Sequence, residues 1–596
     1  MMMNDTVLDE LLTAWKTERA PRADEFASPE SFETRFFAAA DAEPEKPAKK
    51  SLLDRFVEEL HKLKSPAAAA AASAPAPCAP AFSARAPRSM PMPGGILAER
   101  CFSMAAPAAF AARGMQFDME LDCGGRLPTF DTEEYKTVGE RPFVAVATNP
   151  LSTFGADVDT AMYSNLRRMI LEEDRLPPAE AVRIEELVNY FGYDYPQPQG
   201  EAVMAPHFEM GAAPWAPERR LLLVGVQAKQ PVREELPPSH YVFLIDNSGS
   251  MCDVFPMVKE AMTTLAKQLR PDDRVSMLTY GGEVRVVLDG SSDIGELCRR
   301  IAELDTEGFT PGGEGIQSAY RLAEKHFIAG GNNRIVLITD GDFNVGASSE
   351  AELVAMAKAK RDTGIYLSIA GCGMGNYKDN KLKMLANQGN GNVFYLDSVR
   401  EAKRVFCHGM TGNMYALARD VKFQIEFNPA AVCAYRLLGY ELREMTDREF
   451  RDDDKESGTV GLGQQVTALY EIIPADAPEA VKSAAVPAAP PLKYLSAEAK
   501  KSDELLTFRM RWREPQGKEA ARESSVAVKP ELPAAANWGW AASVAEFALA
   551  LRGSKFAPDA APDHAAKTAQ RYLGEDPNGE RAEFLLMLRR AAKLRK

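Results

Sequence analysis

The sequence holds no uninterrupted run of 18 apolar residues, which argues against an ordinary membrane-spanning helix. Its start, Met1 to Ala20, lacks the basic stretch and apolar centre of a signal peptide. The expected address is therefore the cytoplasm, with membrane association as the alternative. Basic side chains are in deficit: 71 Lys and Arg face 85 Asp and Glu, a net charge of −14. Nucleic-acid binding is not expected, because phosphate contacts need clustered cations. Eight cysteines and six histidines are scattered without a C-x-x-C or H-E-x-x-H pattern. Neither a zinc site nor a dense disulfide framework follows from such spacing.

What is present suits several globular cores. The chain has 596 residues, 45% of them hydrophobic and 26% charged. Residues 1–64 read as an N-terminal helical segment, in which Ser51–Leu63 places its apolar residues on one helical face. That face would fold onto the protein or meet a partner or membrane surface. Residues 65–115 are Ala-, Pro- and Ser-rich and read as a disordered linker. A flanking region, 130–236, combines helical patterns between Thr160 and Phe191 with a strand at Leu221–Val226.

Between 238 and 410 apolar runs alternate with helical stretches. The runs are Tyr241–Ile245, Arg274–Tyr280, Val284–Leu288, Arg334–Thr339, Ile365–Ala370 and Val393–Leu396. Runs of this kind predict a doubly wound, mostly parallel sheet covered on both faces, an α/β fold. The period changes to two in 415–515, at Val421–Phe427, Gln465–Ile473 and Leu506–Trp512, which predicts an antiparallel β region. Residues 537–596 form a C-terminal helical region. A lone strand at Leu221–Val226 cannot bury its face by itself. Residues near 205–230 are therefore expected to pair with strands from 417–515 in one β-sandwich, with the α/β domain inserted into it.

One constellation carries chemistry. Asp246-Asn247-Ser248-Gly249-Ser250 follows the first strand of the α/β region, where loops leave an open sheet and ligands bind. Oxygen side chains at i, i+2 and i+4 of a turn can face one point, which suits a hard cation such as Mg2+. Serine hydroxyls are neutral, so much of the ion's charge would await an acidic group from a partner. Thr310, in the Gly-rich loop Thr310-Pro311-Gly312-Gly313, and Asp340, in Thr339-Asp340-Gly341-Asp342, add oxygen donors at other loops on the same side of the sheet.

These five positions, in this order, resemble the metal-ion-dependent adhesion site of a von Willebrand factor type A (VWA) domain. The resemblance implies direct ligation of Mg2+ by Ser248, Ser250 and Thr310, with Asp246 and Asp340 acting mainly through water; Mn2+ or Ca2+ are the alternatives. Further stretches, Asn149-Pro150-Leu151-Ser152-Thr153-Phe154, Arg183–Phe191 and Thr339–Gly346 among them, resemble the bacterial YfbK-type proteins from about residue 130 onward. The first 115 residues resemble nothing nameable.

Rival motifs are weaker. Asp157-Val158-Asp159-Thr160 departs from the haloacid dehalogenase signature, its threonine coming one position early, and is expected to cap a helix with solvated carboxylates. Gly371-Cys372-Gly373-Met374-Gly375 is expected to be a tight turn, and Cys372 a buried structural thiol. No phosphate-binding loop or nucleophile elbow occurs. The chain is thus expected to be a non-enzymatic module that recognises an Asp or Glu of a partner protein through bound Mg2+. A metal-dependent hydrolase is the first alternative, and a scaffold in a membrane-associated or regulatory complex the second.

Overall fold

The computed structural model describes residues 139–595, apart from 308–311, 341–349, 373–378, 454, 487–501 and 516–519. The helical segment 1–64 and the linker 65–115 lie outside the described residues. Four strands precede the alternating region: β1 (Val144–Ala145), β2 (Leu151–Gly155), β3 (Met204–Ala213) and β4 (Ala216–Ala228). The region itself contains β5 (Ser239–Ile245), β6 (Arg274–Tyr280), β7 (Val284–Ser291), β8 (Asn332–Thr339), β9 (Ile365–Cys372) and β10 (Val393–Leu396). After it come β11 (Ala416–Phe427), β12 (Val432–Leu438), β13 (Glu444–Met445), β14 (Val460–Gly461), β15 (Gln465–Pro474), β16 (Leu506–Arg513) and β17 (Arg522–Val528).

Strands β5 to β10 form one sheet in the order β10-β9-β8-β5-β6-β7, parallel except for the β6–β7 pair. Both faces are covered, so β5 is apolar at every inner position. Tyr241, Phe243 and Ile245 pack with Phe255, Val258 and Leu265 of the helix Phe255–Ala266. Val242 and Leu244 pack with Ile316, Ala319 and Tyr320 of the helix Gly312–Lys325 on the other face. The chain leaves β5 first to β6 on one side and later to β8 on the other. This reversal puts a crevice beyond the adjoining carboxyl ends of β5 and β8, where Ile245 pairs with Ile338.

The remaining strands form two sheets, β1-β12-β15-β4-β3 and β13-β2-β11-β16-β17, with β14 attached to β11. They share a core that includes Phe154, Leu222, Val224, Phe423, Tyr470 and Phe508. Strand β4 pairs with β15, Leu221 opposite Glu471 and Val226 opposite Val466. Strand β2 pairs with β11, Phe154 opposite Phe423. Strands from both sides of the α/β region thus meet in one antiparallel sandwich, as the expected insertion requires. The apolar run in β4 is continuous because the strand is buried twice: Leu222, Val224 and Val226 enter the sandwich core. Leu221 and Leu223 enter a second core with the helices Ala536–Arg552, Pro562–Arg571 and Glu580–Leu594.

Two features differ from the sequence reading. Of the two helical patterns that Pro177-Pro178 separates, the first is Ala161–Arg167 running into a π-helical turn at Arg168–Glu172, and the second is shorter than Ala181–Phe191, spanning only Ile184–Val188. The carboxylates of Asp157 and Asp159 are not solvated caps. Both are buried, and Thr160 caps the helix without a side-chain hydrogen bond. Arg443 donates to Asp157 at 2.8 Å and lies 3.4 Å from Asp159, and the Val393 amide donates to Asp159 at 3.0 Å. Burial overrides the solvated reading because a cation from far along the chain reaches them.

Candidate metal centre

The loop after β5 is held from beneath. The Asp246 amide donates to the Ile338 carbonyl at 2.8 Å, extending the β5–β8 ladder by one residue. One Asp246 carboxylate oxygen accepts from the Ser248 amide at 2.9 Å, and the other faces the Thr339 hydroxyl at 3.4 Å. The aspartate is almost wholly buried and therefore cannot swing outward. Its local bond to Ser248 folds the backbone so that the Ser248 and Ser250 hydroxyls come within 3.0 Å of each other. Ser248 is buried, whereas Ser250 is exposed at the rim. Neither Asp246 nor Ser250 caps the following helix, whose N-cap is Val254, so a purely structural capping role is not observed.

Asp340 follows Thr339 at the end of β8 and is also buried. The Asp246 carboxyl is pushed above its ordinary range chiefly by burial, with the Asp340 charge adding to the shift and the Ser248 hydrogen bonds opposing it. Two close, buried carboxylates and two converging hydroxyls form an oxygen-only donor set that a cation would relieve of mutual repulsion. That chemistry fits a hard divalent ion. Thr310 lies outside the described residues, so the structure brings together four of the five expected positions: Asp246, Ser248, Ser250 and Asp340.

Tyr280 was not singled out by the sequence. It ends β6, is fully buried, and its hydroxyl faces both Asp246 and Thr339; burial, followed by the charge of Asp246, lifts its pKa well above the ordinary value. The parallel register that pairs Ile245 with Thr279 carries it there. The next residue must be glycine, because a Cβ on Gly281 would run into the carbonyl oxygens of Asn247 and Glu307. The Glu307 amide donates to the Asn247 carbonyl at 2.6 Å, and the Asn247 side-chain amide donates to the Asp305 carbonyl at 3.1 Å. The β5 loop, the β6–β7 turn and the segment leading to Thr310 are thereby tied together. Cys372 ends β9 with no exposure, and burial together with the Asp340 and Asp246 charges raises its thiol far above the ordinary value. Such a thiol stays protonated and inert.

A sheet wound in this order, with D-x-S-x-S at its switch point, defines a von Willebrand factor type A domain set into a sandwich. Residues 241–406 match the von Willebrand factor type A domain family. Residues 129–223 match the family described as von Willebrand factor, and residues 412–594 the C-terminal family of the uncharacterized protein YfbK. The uncharacterized protein YfbK of Escherichia coli (strain K12) is 38% identical over 469 residues, spanning 77% of this chain and 80% of that one. The uncharacterized protein sll0103 of Synechocystis sp. is 26% identical over 195 residues, or 32% of this chain and 44% of that protein. A solved structure, von Willebrand factor type A from Catenulispora acidiphila, is 14% identical with a TM-score of 0.34, covering 64% of this chain and 88% of that chain. The chain belongs to the YfbK family of bacterial VWA-domain proteins. Domains of this type are in general protein-interaction modules. Among the described residues no helix is long and apolar enough to cross a membrane.

Proposed function

We propose that the chain is a metal-dependent protein-binding module rather than an enzyme. Ser248, Ser250 and Thr310 would hold Mg2+ directly, and Asp246 and Asp340 would hold it through water. The ion would supply a positive centre for an Asp or Glu of a partner protein. The observation that carries this reading is the 3.0 Å approach of the Ser248 and Ser250 hydroxyls in front of buried Asp246. Neutral donors at the rim and carboxylates behind leave the outward side of an ion electron-poor. The buried carboxylate has a positioning job already, since both its oxygens face protein hydrogen-bond donors. Hydrolysis would require a general base poised beside the ion. No histidine accompanies Asp246–Met251, Thr310–Gly313 or Thr339–Gly346 in the sequence.

Calorimetric titration of the full chain with Mg2+ and Mn2+ tests the reading. Asp246→Ala should abolish binding while leaving the circular dichroism spectrum unchanged. Undiminished binding in that variant would remove the proposal. Metal-dependent turnover of phosphate or ester substrates that disappears in Asp340→Ala would support the hydrolase instead.

A further inference from the structure

A cleft of about 420 Å3 lies where the amino end of the α/β sheet meets the sandwich. Asn332, the first residue of β8, lines it, whereas Thr339 ends that strand beside Asp246. The length of β8, roughly 23 Å, therefore separates this cleft from the Asp246 loop. Pro237, Tyr366, Tyr415, Leu462 and Pro515 supply apolar walls. The Tyr366 hydroxyl donates to the Pro515 carbonyl at 2.7 Å, which pins one wall to the sandwich. A volume of this size with apolar walls and a few polar groups suits a small molecule.

Beside the Tyr366 wall stands a cation without a counter-charge. Arg334 is only 2% exposed, and its guanidinium carbon lies 5.4 Å from the centre of the Tyr366 ring. Its Nε donates to the Met414 carbonyl at 3.1 Å and its Nη1 to the Ser368 hydroxyl at 2.7 Å. Both acceptors are neutral. Nη2 makes no hydrogen bond among the described residues, yet it is not sealed from water. Arg167 and Arg436 are buried as deeply, and both bind carboxylates: Asp397, Glu401 and Glu583 for the first, Glu140 and Glu471 for the second. Among the described residues no acidic side chain pairs with Arg334. Burial pushes its pKa down to about 10, opposed only by Tyr366, Tyr241 and Tyr415. A buried arginine without an anion is costly.

The other charges around the cleft are already balanced. Arg270 donates to the Tyr415 hydroxyl at 3.1 Å, but Asp273 neutralises it at 2.9 Å. Glu514, the one carboxylate among the described lining residues, pairs with Arg522 at 3.1 Å. One negative charge is thus missing. A dianionic phosphate would call for several cations, whereas one unpaired guanidinium matches a monoanionic carboxylate. Tyrosine and proline faces favour a flat apolar body behind that carboxylate.

We infer that this cleft binds a small organic monocarboxylate, its carboxylate on Arg334 and its body against Tyr366 and Tyr415. Fluorobenzoate is the probe, followed by fluorine NMR line broadening on the full chain in EDTA, so that the result does not depend on the metal reading. The neutral isostere fluorobenzamide should bind about tenfold more weakly, or worse. Arg334→Met keeps the reach of the side chain without its charge, and it should weaken fluorobenzoate binding by a similar factor. Ala416 also lines the cleft, and Ala416→Phe would fill it while leaving Arg334 in place. That variant should abolish the broadening, and it carries the test if Arg334→Met does not fold. The inference is overturned if the unaltered chain fails to bind the probe at millimolar concentration, or if either folded variant binds it equally well. Equal binding of fluorobenzamide would overturn it too. Inorganic phosphate that displaces the probe more strongly than unlabelled benzoate would overturn the assignment to a carboxylate.

Discussion

Two pairs of buried aspartates among the described residues, Asp157 with Asp159 and Asp246 with Asp340, differ in their surroundings. Asp157 and Asp159 sit where the flanking segment, the VWA domain and the sandwich meet. Arg443 binds both, Lys383 pairs with Glu186 close by, and the Asn387 side chain accepts from Arg443 at 3.2 Å. Burial alone would lift the Asp157 carboxyl, but Arg443 and Lys383 hold it below its ordinary value. Asp246 and Asp340 are equally buried, yet the causes of the Asp246 shift include no cationic side chain, and its carboxyl stays raised. Charge supplied from within marks a structural junction. A buried carboxyl raised with no cation among its causes, as at Asp246, is the setting the proposed metal site requires. Both motifs are Asp-rich turns in the sequence, and the contrast lies between Asp157, which a cation holds ionised, and Asp246, whose shift no cation opposes. Asp159 stays raised because burial and the Asp157 charge outweigh Arg443.

The comparison breaks most visibly at Arg443. Removing it by Arg443→Ala leaves two buried carboxylates without their main partner, an effect worth about 3–5 kcal/mol. Urea unfolding should show that loss. A change under about 1 kcal/mol would mean that the junction does not depend on the pairing.

This contrast also shows what could be read from the chain alone. The oxygen-bearing loop after β5 was legible because three of its side chains, Asp246, Ser248 and Ser250, lie within five consecutive residues, and Asp246 needs only its own bond to Ser248 to shape the turn. Arg443 was not, since it reaches Asp157 across 286 positions, and no local pattern marks a partner so distant. Tyr280 arrives beside Asp246 through sheet register rather than sequence proximity. Among strands, β5 and β8 were legible because both faces are buried and their inner runs, Tyr241–Ile245 and Ile335–Ile338, are wholly apolar. Strand β17, Arg-Glu-Ser-Ser-Val-Ala-Val, was missed because an edge strand buries too little to need an apolar pattern. Strand β3 was missed because Pro206 and Gly211 interrupt it, which its edge position tolerates.

A smaller effect tests the other side of the comparison. If the VWA loop awaits a cation, Mg2+ at a hundredfold above its Kd should stabilise the chain by about 2.7 kcal/mol. Thermal unfolding in Mg2+ against EDTA reads this directly, and Asp246→Ala should lose the whole difference. In EDTA the same variant should lose at most about 1–2 kcal/mol, because the Ser248 amide and Thr339 hydroxyl lose their acceptor while a carboxyl that burial disfavours is removed. Destabilisation beyond about 2 kcal/mol in EDTA would place Asp246 with the structural aspartates.

The smallest effect is a slope. Burial, reinforced by the Asp157 charge, raises the Asp159 carboxyl to about 7 against an ordinary value of 3.8. Between those values the folded chain keeps a proton that the unfolded chain has released, so stability falls as pH rises from about 4 to about 7. Below that window both states are protonated, and above it both are ionised, so the contribution becomes flat. One such group changes stability by at most about 1.4 kcal/mol per pH unit. Asp159→Asn keeps an oxygen to accept from the Val393 amide but cannot ionise, and it should reduce the slope of unfolding free energy by up to that amount. Asp246→Asn should leave the slope between pH 5 and 7 nearly unchanged in Mg2+, where a bound ion would keep that carboxylate ionised in the folded chain. An unaltered slope in Asp159→Asn would show that Arg443 neutralises both junction carboxylates, which sharpens the distinction between the two aspartate groups instead of blurring it.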